Sequence, residues 1–329
     1  MADVICLGIL VVDVLAWPVD AMPQRGSLAL IDGATPRAGG CALNTATTLA
    51  RFDLDVTVAG VVGADALGGY LLETITQRGL DSRIARSVQH PTSTSVVLVA
   101  SDGERTFLHS PGANACLTED TFDVDTLASA KAVHLGGSLL MPGLDGEPAA
   151  RLLEQLRARG VHTSIDSAYD ADGRWHRFLP MLAHTDLATV GWAEGQHITG
   201  EREPDRIANA LHRHGCREVA VKMGPEGSYV SGAGHRGHHA AFPVTAVDGT
   251  GAGDAFTAGL LYGRLAGWPL SDATRLATAA GALATTAIGA VEGVGDLSQA
   301  IALAGLDIDS GGASSTGAAQ HRRCRGSGW

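Results

Sequence analysis

Basic residues are in the minority: 24 Lys and Arg stand against 35 Asp and Glu, for a formal net charge of −11. Phosphate backbones are held by Lys/Arg surfaces, so a general nucleic-acid binder is excluded, although a local basic pocket for phosphate is not. Aromatic residues are scarce at 5%. The core must therefore be built from aliphatic side chains, and a hydrophobic fraction of 45% is enough to build one. The five cysteines (Cys6, Cys41, Cys116, Cys216, Cys324) are odd in number and scattered, with no C-x-x-C pair. This argues against a disulfide framework or structural zinc and for reduced thiols in a cytosol. No run reaches the ~18 apolar residues of a membrane helix. The N-terminus carries Asp3 and enters a strand-like run, without a basic start or a cleavage pattern. A cytoplasmic protein with no membrane partner is expected. Two familiar nucleotide signatures are missing as well. There is no Gly-Lys-Ser/Thr P-loop, and the most Gly-rich segment has Asp254 where a dinucleotide fingerprint needs glycine.

What is present is alternation. Residues 4–12 predict one buried strand, residues 41–51 an amphipathic helix, 56–62 a strand and 66–78 a helix ending at Gly79. Residues 93–100 are rich in Val, Thr and Ser. Ser101-Asp102-Gly103-Glu104 is a turn, and a strand resumes at Arg105, so a hairpin interrupts the pattern. Strands and helices then alternate to Lys222, and two Ala-rich helices follow at 255–266 and 273–286. The order predicts a parallel sheet covered by helices on both faces. Residues 309–329 are Gly/Ser-rich and read as a disordered tail.

The chemistry is carried by Asp248-Gly249-Thr250-Gly251-Ala252-Gly253-Asp254-Ala255-Phe256, which opens a long helix. Its small residues let successive backbone N–H groups face one point. With the helix dipole they form an anion hole, where a phosphoryl group gaining charge would sit. Asp254 lies one residue past that nest, placed to take a proton from an attacking hydroxyl. Alone, the segment reads equally as a Gly-rich turn with an N-capping Asp.

It does not stand alone. The segment resembles the second signature of the ribokinase-like (PfkB-type) carbohydrate kinases. Gly39-Gly40-Cys41-Ala42-Leu43-Asn44 is similar to their first signature, G-G-x-x-x-N. Gly60-Val61-Val62-Gly63-Ala64-Asp65-Ala66-Leu67-Gly68 resembles G-x-V-G-x-D-x-x-G. Gly103-Glu104-Arg105 and Gly112-Ala113-Asn114 resemble the lid hairpin, and Lys222-Met223-Gly224-Pro225-Glu226-Gly227 the nucleotide loop. All fall in the family order.

The resemblance implies an α/β fold: one three-layer α/β/α domain over 1–308, with a mostly parallel central sheet. A small β lid would come from about 13–38 and 83–112. It implies ATP-dependent phosphorylation of a sugar hydroxyl. Asp254 would be the base, with Gly251, Ala252 and Gly253 the anion hole. Asp13, Gly39, Gly40 and Asn44 would bind sugar. Lys222, Gly224, Gly227 and Thr278 would line the ATP side, and Glu194 would order Mg²⁺ through water. A monovalent cation such as K⁺ would sit at Asp248 and Thr250, completed by backbone oxygens near Ala284, Ala287 and Gly289. A homodimer through the lid is implied too. The chain departs from the family pattern in three places: Gly191 replaces an Asn three residues before Glu194, Gly249 a Thr or Pro, and Thr278 an Asn near the adenine.

His235, His238 and His239 read as an exposed hairpin rather than a metal site, because no carboxylate or Cys lies at ligand spacing. Trp17 and Phe107 either stack on a ligand or plug the lid. Arg105 either contacts an anionic substrate or stabilises the hairpin. Two alternatives to a sugar kinase stand: a nucleoside (adenosine-type) kinase on the same scaffold, and a non-catalytic sugar-sensing pseudokinase.

Overall fold

The computed structural model describes residues 2–101 and 104–307. Strand β1 (Val4–Gly8) is buried along its whole length. Its side chains alternate between two cores, as a strand's must. Ile5 and Leu7 face one core and Val4 and Cys6 the other. A single strand across 4–12 was expected, but the chain breaks after Gly8 because its backbone presses on the neighbouring strand. A Cβ at Gly8 would lie 2.0 Å from the Gly136 carbonyl oxygen. The chain resumes as β2 (Val11–Trp17), which leaves the first sheet and pairs antiparallel with β3 (Gly33–Gly39).

Helix α1 (Cys41–Arg51) follows at once, then β4 (Val56–Gly63), α2 (Ala66–Gln77) and β5 (Asp81–Ser87). The Asp65 carboxylate caps α2 by accepting the Gly68 N–H at 2.8 Å. β5 pairs in parallel with β4. Residues 83–87 are therefore an edge of the large sheet, which corrects the expected lid segment at its start. The half-exposed, polar character of β5 resembles a lid strand because an edge strand is covered on fewer sides.

β6 (Thr94–Val99) and β7 (Arg105–Ser110) complete a four-stranded sheet in the order β3-β2-β6-β7. The expected turn between them includes residues 102 and 103, which lie outside the described residues. This sheet springs from the carboxyl ends of β1 and β5.

The rest is α3 (Val124–Leu127), β8 (Ala132–Ser138), α4 (Glu147–Ala158), β9 (His162–Ser167), β10 (Leu187–Gly191), α5 (Trp192–Thr199), α6 (Pro204–Arg213), β11 (Glu218–Lys222), β12 (Ser228–Gly232) and β13 (His235–His239). Helices α7 (Ala252–Leu265), α8 (Leu270–Ala284) and α9 (Leu297–Ala304) follow. Among the described residues the large sheet has nine strands, ordered β13-β12-β11-β10-β9-β8-β1-β4-β5. From β11 to β5 every neighbouring pair is parallel. The β12–β13 hairpin, which holds His235, His238 and His239, closes one edge antiparallel.

One face of the sheet packs on α4 and α6 through Leu152, Leu153, Leu156 and Leu211. The other packs on α1, α2, α7 and α8 through Leu43, Leu49, Leu71, Leu260 and Ala277. Small residues let α7 and α8 approach closely: a Cβ at Gly263 would fall 2.6 Å from that of Ala273. This three-layer α/β/α arrangement is the expected one. The proposed tail at 309–329, with Cys324, lies outside the described residues. No helix of the described residues is long and apolar enough to cross a membrane.

Candidate active site

In a sheet of this kind, ligand sites form beyond the carboxyl ends of the strands. Asp166 is the penultimate residue of β9, Gly191 ends β10 and Lys222 ends β11, all on that side. The N-terminus of α7 faces them. Gly251 is its N-cap at φ 72°, and a Cβ there would lie 2.0 Å from the Ala290 carbonyl oxygen. Only glycine combines that backbone with so close an approach. Gly253 abuts the Lys222 amine: a Cβ would stand 3.1 Å from Nζ. The N–H groups at this helix start and the lysine thus converge on one small region.

Asp254 is nearly buried, in the first turn of α7. Asn44 of α1 donates from Nδ2 to Asp254 Oδ2 at 2.8 Å, and Thr45 Oγ1 bonds the Asp254 carbonyl. The Asn44 Oδ1 is buried and has no partner. A buried acceptor without a donor is costly, and a ligand hydroxyl would satisfy it. Gly40 gives α1 its entry, at φ +99° against the Ile9 carbonyl. Gly39 leaves room for Asp13: a Cβ would fall 2.7 Å from Asp13 Oδ2. Burial raises the Asp13 carboxyl above its ordinary range, while Ser95 and Arg105 pull it back. Asn44 thus reaches Asp254 directly, and Gly39 and Gly40 join Asp13 of the small sheet to the start of the same helix.

Electrostatics mark the same spot. Burial raises the Asp254 carboxyl, while Asn44, Lys222 and Cys41 pull it down and Glu194 pushes it up. Asp166, fully buried, is pushed up to about 7, first by burial and then, against the pull of Lys222, by Asp254. It accepts the Gly137 N–H at 2.6 Å. Glu194 Oε2 accepts the Gly191 N–H at 2.8 Å and a bond from Ser167 Oγ. A Cβ at Gly191 would lie 2.8 Å from that Oε2, so a side chain there would require the flexible Glu194 carboxylate to shift. Asp166, Glu194 and Asp254 are hard oxygen donors around one lysine, a donor set that suits Mg²⁺.

The sequence reading missed two residues here. Cys41 Sγ and the carboxylates of Asp166 and Asp254 lie within 4.8 Å of one another. Burial and then Asp254 hold the Cys41 thiol well above its ordinary pKa, so it stays protonated. Asp166 lies near the end of a strand without a Gly-rich signature, and only its place beside Lys222 reveals it. Asn114, read with the lid, is instead a structural clamp: its side chain accepts the Leu10 N–H and donates to the Leu10 carbonyl, both at 3.1 Å.

Beyond Lys222 opens a cavity of ≈ 550 Å³, large enough for a nucleoside. Lys222, Gly224, Gly227 and Thr278 line it. So do Phe256, the last residue of the 248–256 motif, and Phe242, Pro243, Val244 and Thr285, which no motif singled out. The apolar run at 242–247 was not a signature, yet it supplies one wall.

The expected monovalent-cation donors fit less well. The segment after α8 is near, since the Thr285 carbonyl accepts the Val247 and Asp248 N–H groups. However, Asp248 Oδ1 accepts the Thr250 N–H at 2.8 Å, and Oδ2 accepts the Gly289 N–H at 2.7 Å. Arg105 NH2 stands 2.6 Å from the same Oδ2, and its NH1 bonds Thr250 Oγ1. Burial pushes the Asp248 carboxyl up, but the Thr250 and Gly289 N–H groups and Arg105 outweigh it, so it lies below its ordinary range. The side-chain oxygens expected to meet a cation are engaged, and the positive charge beside them belongs to Arg105.

A buried carboxylate in the first turn of α7, glycine N–H groups beside it, a lysine close to them and a nucleoside-sized cavity are features that phosphoryl transfer needs. Residues 1–296 match the family described as pfkB family carbohydrate kinase, and the chain belongs to it. It is 32% identical to a fructokinase from Salmonella typhimurium over 291 residues, 83% of this chain and 92% of that protein. It is 29% identical to the 2-dehydro-3-deoxygluconokinase of Bacillus subtilis over 285 residues, 82% and 87% of the two chains. Its fold is similar to that of an Arabidopsis thaliana ribokinase solved with ribose and ATP, at TM-score 0.78 and 23% identity, covering 92% of this chain and 98% of that one. The protein is a carbohydrate kinase.

Proposed function

We propose that the chain transfers the γ-phosphoryl group of ATP to a hydroxyl of a small, neutral sugar, releasing ADP. The observation that carries this reading is the Asn44–Asp254 pair: one amide end holds the carboxylate, and the other end is an unsatisfied acceptor in the same place. A sugar can offer neighbouring hydroxyls to Asn44 Oδ1, to Asp13 and to Asp254. Asp254 then accepts the proton of the attacking hydroxyl as the O–P bond forms, and the N–H groups of residues 251–253 meet the charge gathering on the phosphoryl oxygens. Lys222 steadies the transferred group from the nucleotide side. Glu194 and Asp166 would hold Mg²⁺ through water, and the ion would neutralise phosphate charge.

Neutrality of the sugar is argued from Arg105. Its guanidinium is spent on Asp248 rather than left for a substrate carboxylate. Ribokinase-like relatives act on sugars of both kinds, an acid sugar in the Bacillus subtilis protein and fructose in the Salmonella one, as their names state. Release of ADP with fructose, ribose, 2-dehydro-3-deoxygluconate and adenosine as acceptors tests the reading. Turnover is expected with a neutral sugar. Turnover with adenosine alone, or with the acid sugar alone, overturns it.

The small sheet would act as a lid that excludes water during transfer. The exposed Phe107 and Leu108 of β7, with Leu28 and Leu30 in the β2–β3 connection, support a homodimer through this layer, and sedimentation with the variants Phe107→Lys and Leu108→Lys tests it. Trp17, packed over Gly33, plugs the lid rather than stacking on a ligand in this reading.

A further inference from the structure

Arg105 opens β7 in the lid sheet, yet its guanidinium reaches out of that sheet to the loop before α7. It bonds Asp248 Oδ2 and Thr250 Oγ1, the two side chains that flank the anion hole. The Asp248 side chain is 0% exposed and that of Arg105 17%. An ion pair so enclosed is screened little by solvent. Breaking it would leave a buried carboxylate uncompensated, which is strongly unfavourable. The carboxylate in turn fixes the loop, because its two oxygens hold the Thr250 and Gly289 N–H groups. The charge of Arg105 also acts on Asp13, at the other end of the sugar site.

We propose that Arg105 is a positioning residue that carries a built-in positive charge from the lid to the anion-hole loop, in the place a monovalent cation would take. Phosphotransfer by this chain is then independent of monovalent cations. Lid closure and order of the anion hole become one event, since the same guanidinium is part of both. A potassium ion at Asp248 would have to displace the guanidinium or share an oxygen with it against its charge. This inference rests on the kinase reading above.

The test compares K⁺, Na⁺ and tetramethylammonium at equal ionic strength, using the full chain with Mg·ATP and its sugar. The wild-type rate and thermal midpoint are expected to agree among the three within about twofold and about 2 °C. Arg105→Ala is expected to lose at least about tenfold in kcat, as loss of a charged hydrogen-bond partner implies. It should regain much of that with K⁺ or with added guanidinium, and its thermal midpoint should now rise with K⁺ over tetramethylammonium. Arg105→Lys should remain indifferent to the cation. Severalfold activation or thermal stabilisation of the wild type by K⁺ overturns the inference, as does an Arg105→Ala variant that neither cation restores. Should Arg105→Ala not fold, the wild-type comparison alone still decides. No turnover in any salt would instead contradict the kinase reading.

Discussion

Asn44 Nδ2 lies 2.8 Å from Asp254 Oδ2, joining α1 to α7 across 210 residues of sequence. The contact fixes the carboxylate rotamer and directs the free Asn44 Oδ1 to the same space. Asn44→Leu removes both functions while filling similar volume. It is expected to raise the sugar KM and lower kcat, leaving the ATP KM near its original value. Steady-state kinetics in both substrates checks this, and an unchanged sugar KM would detach Asn44 from the sugar.

The proposed anion hole depends on Gly251, whose positive φ other residues rarely adopt. Gly251→Ala would drive a methyl into the Ala290 carbonyl at a positive φ. Loss of one such donor typically costs ~10²–10³ in rate. A comparable fall in kcat is expected for Gly251→Ala, with circular dichroism showing the fold retained. Gly253→Ala meets only the flexible end of Lys222 and should lose less.

The nucleotide cavity gives a separable effect. Thr278→Phe would fill part of the ≈ 550 Å³ space that Thr278 lines. The ATP KM is expected to rise at least about tenfold, the cost of one excluded good contact, while the sugar KM stays unchanged. A sugar KM that rose as much would place the cavity elsewhere in the mechanism.

The pH dependence follows from the paired carboxylates. Asp254 must be ionised to act as base, and burial holds its carboxyl above the ordinary range. The rate is therefore full at high pH and lost as pH falls through that raised value. Glu194 pushes it further up, and Glu194→Gln removes that like charge. The acidic limb of kcat against pH should then move to lower pH. A limb that moved upward or stayed fixed would show that the two carboxylates do not share this site.

The sheet was legible in the sequence because buried parallel strands are continuous aliphatic runs, and the turn at residues 248–254 because its glycines are forced by geometry. Less was legible where the determinant is a neighbour. The break at Gly8 depends on the Gly136 carbonyl, a residue far along the chain. The edge strand β5 looks like lid because its exposure, not its pairing, is written in its side chains. Asp166 and Cys41 have no signature of their own and become significant only when β9 and α1 bring them to Asp254. Arg105 falls in the hairpin that the sequence predicts, but its partner Asp248 could not be read from spacing across 143 positions.

The base remains the centre of the account. Asp254→Asn keeps the size and the Asn44 contact surface but removes the proton acceptor. Loss of a general base typically costs ~10²–10⁴ in rate. Phosphotransfer by purified Asp254→Asn, measured as ADP release at saturating sugar and Mg·ATP alongside calorimetric binding of each substrate, is the most direct test. The account predicts a kcat lowered by about 10²–10⁴ with near-normal binding of both substrates; turnover close to the wild-type rate would contradict it.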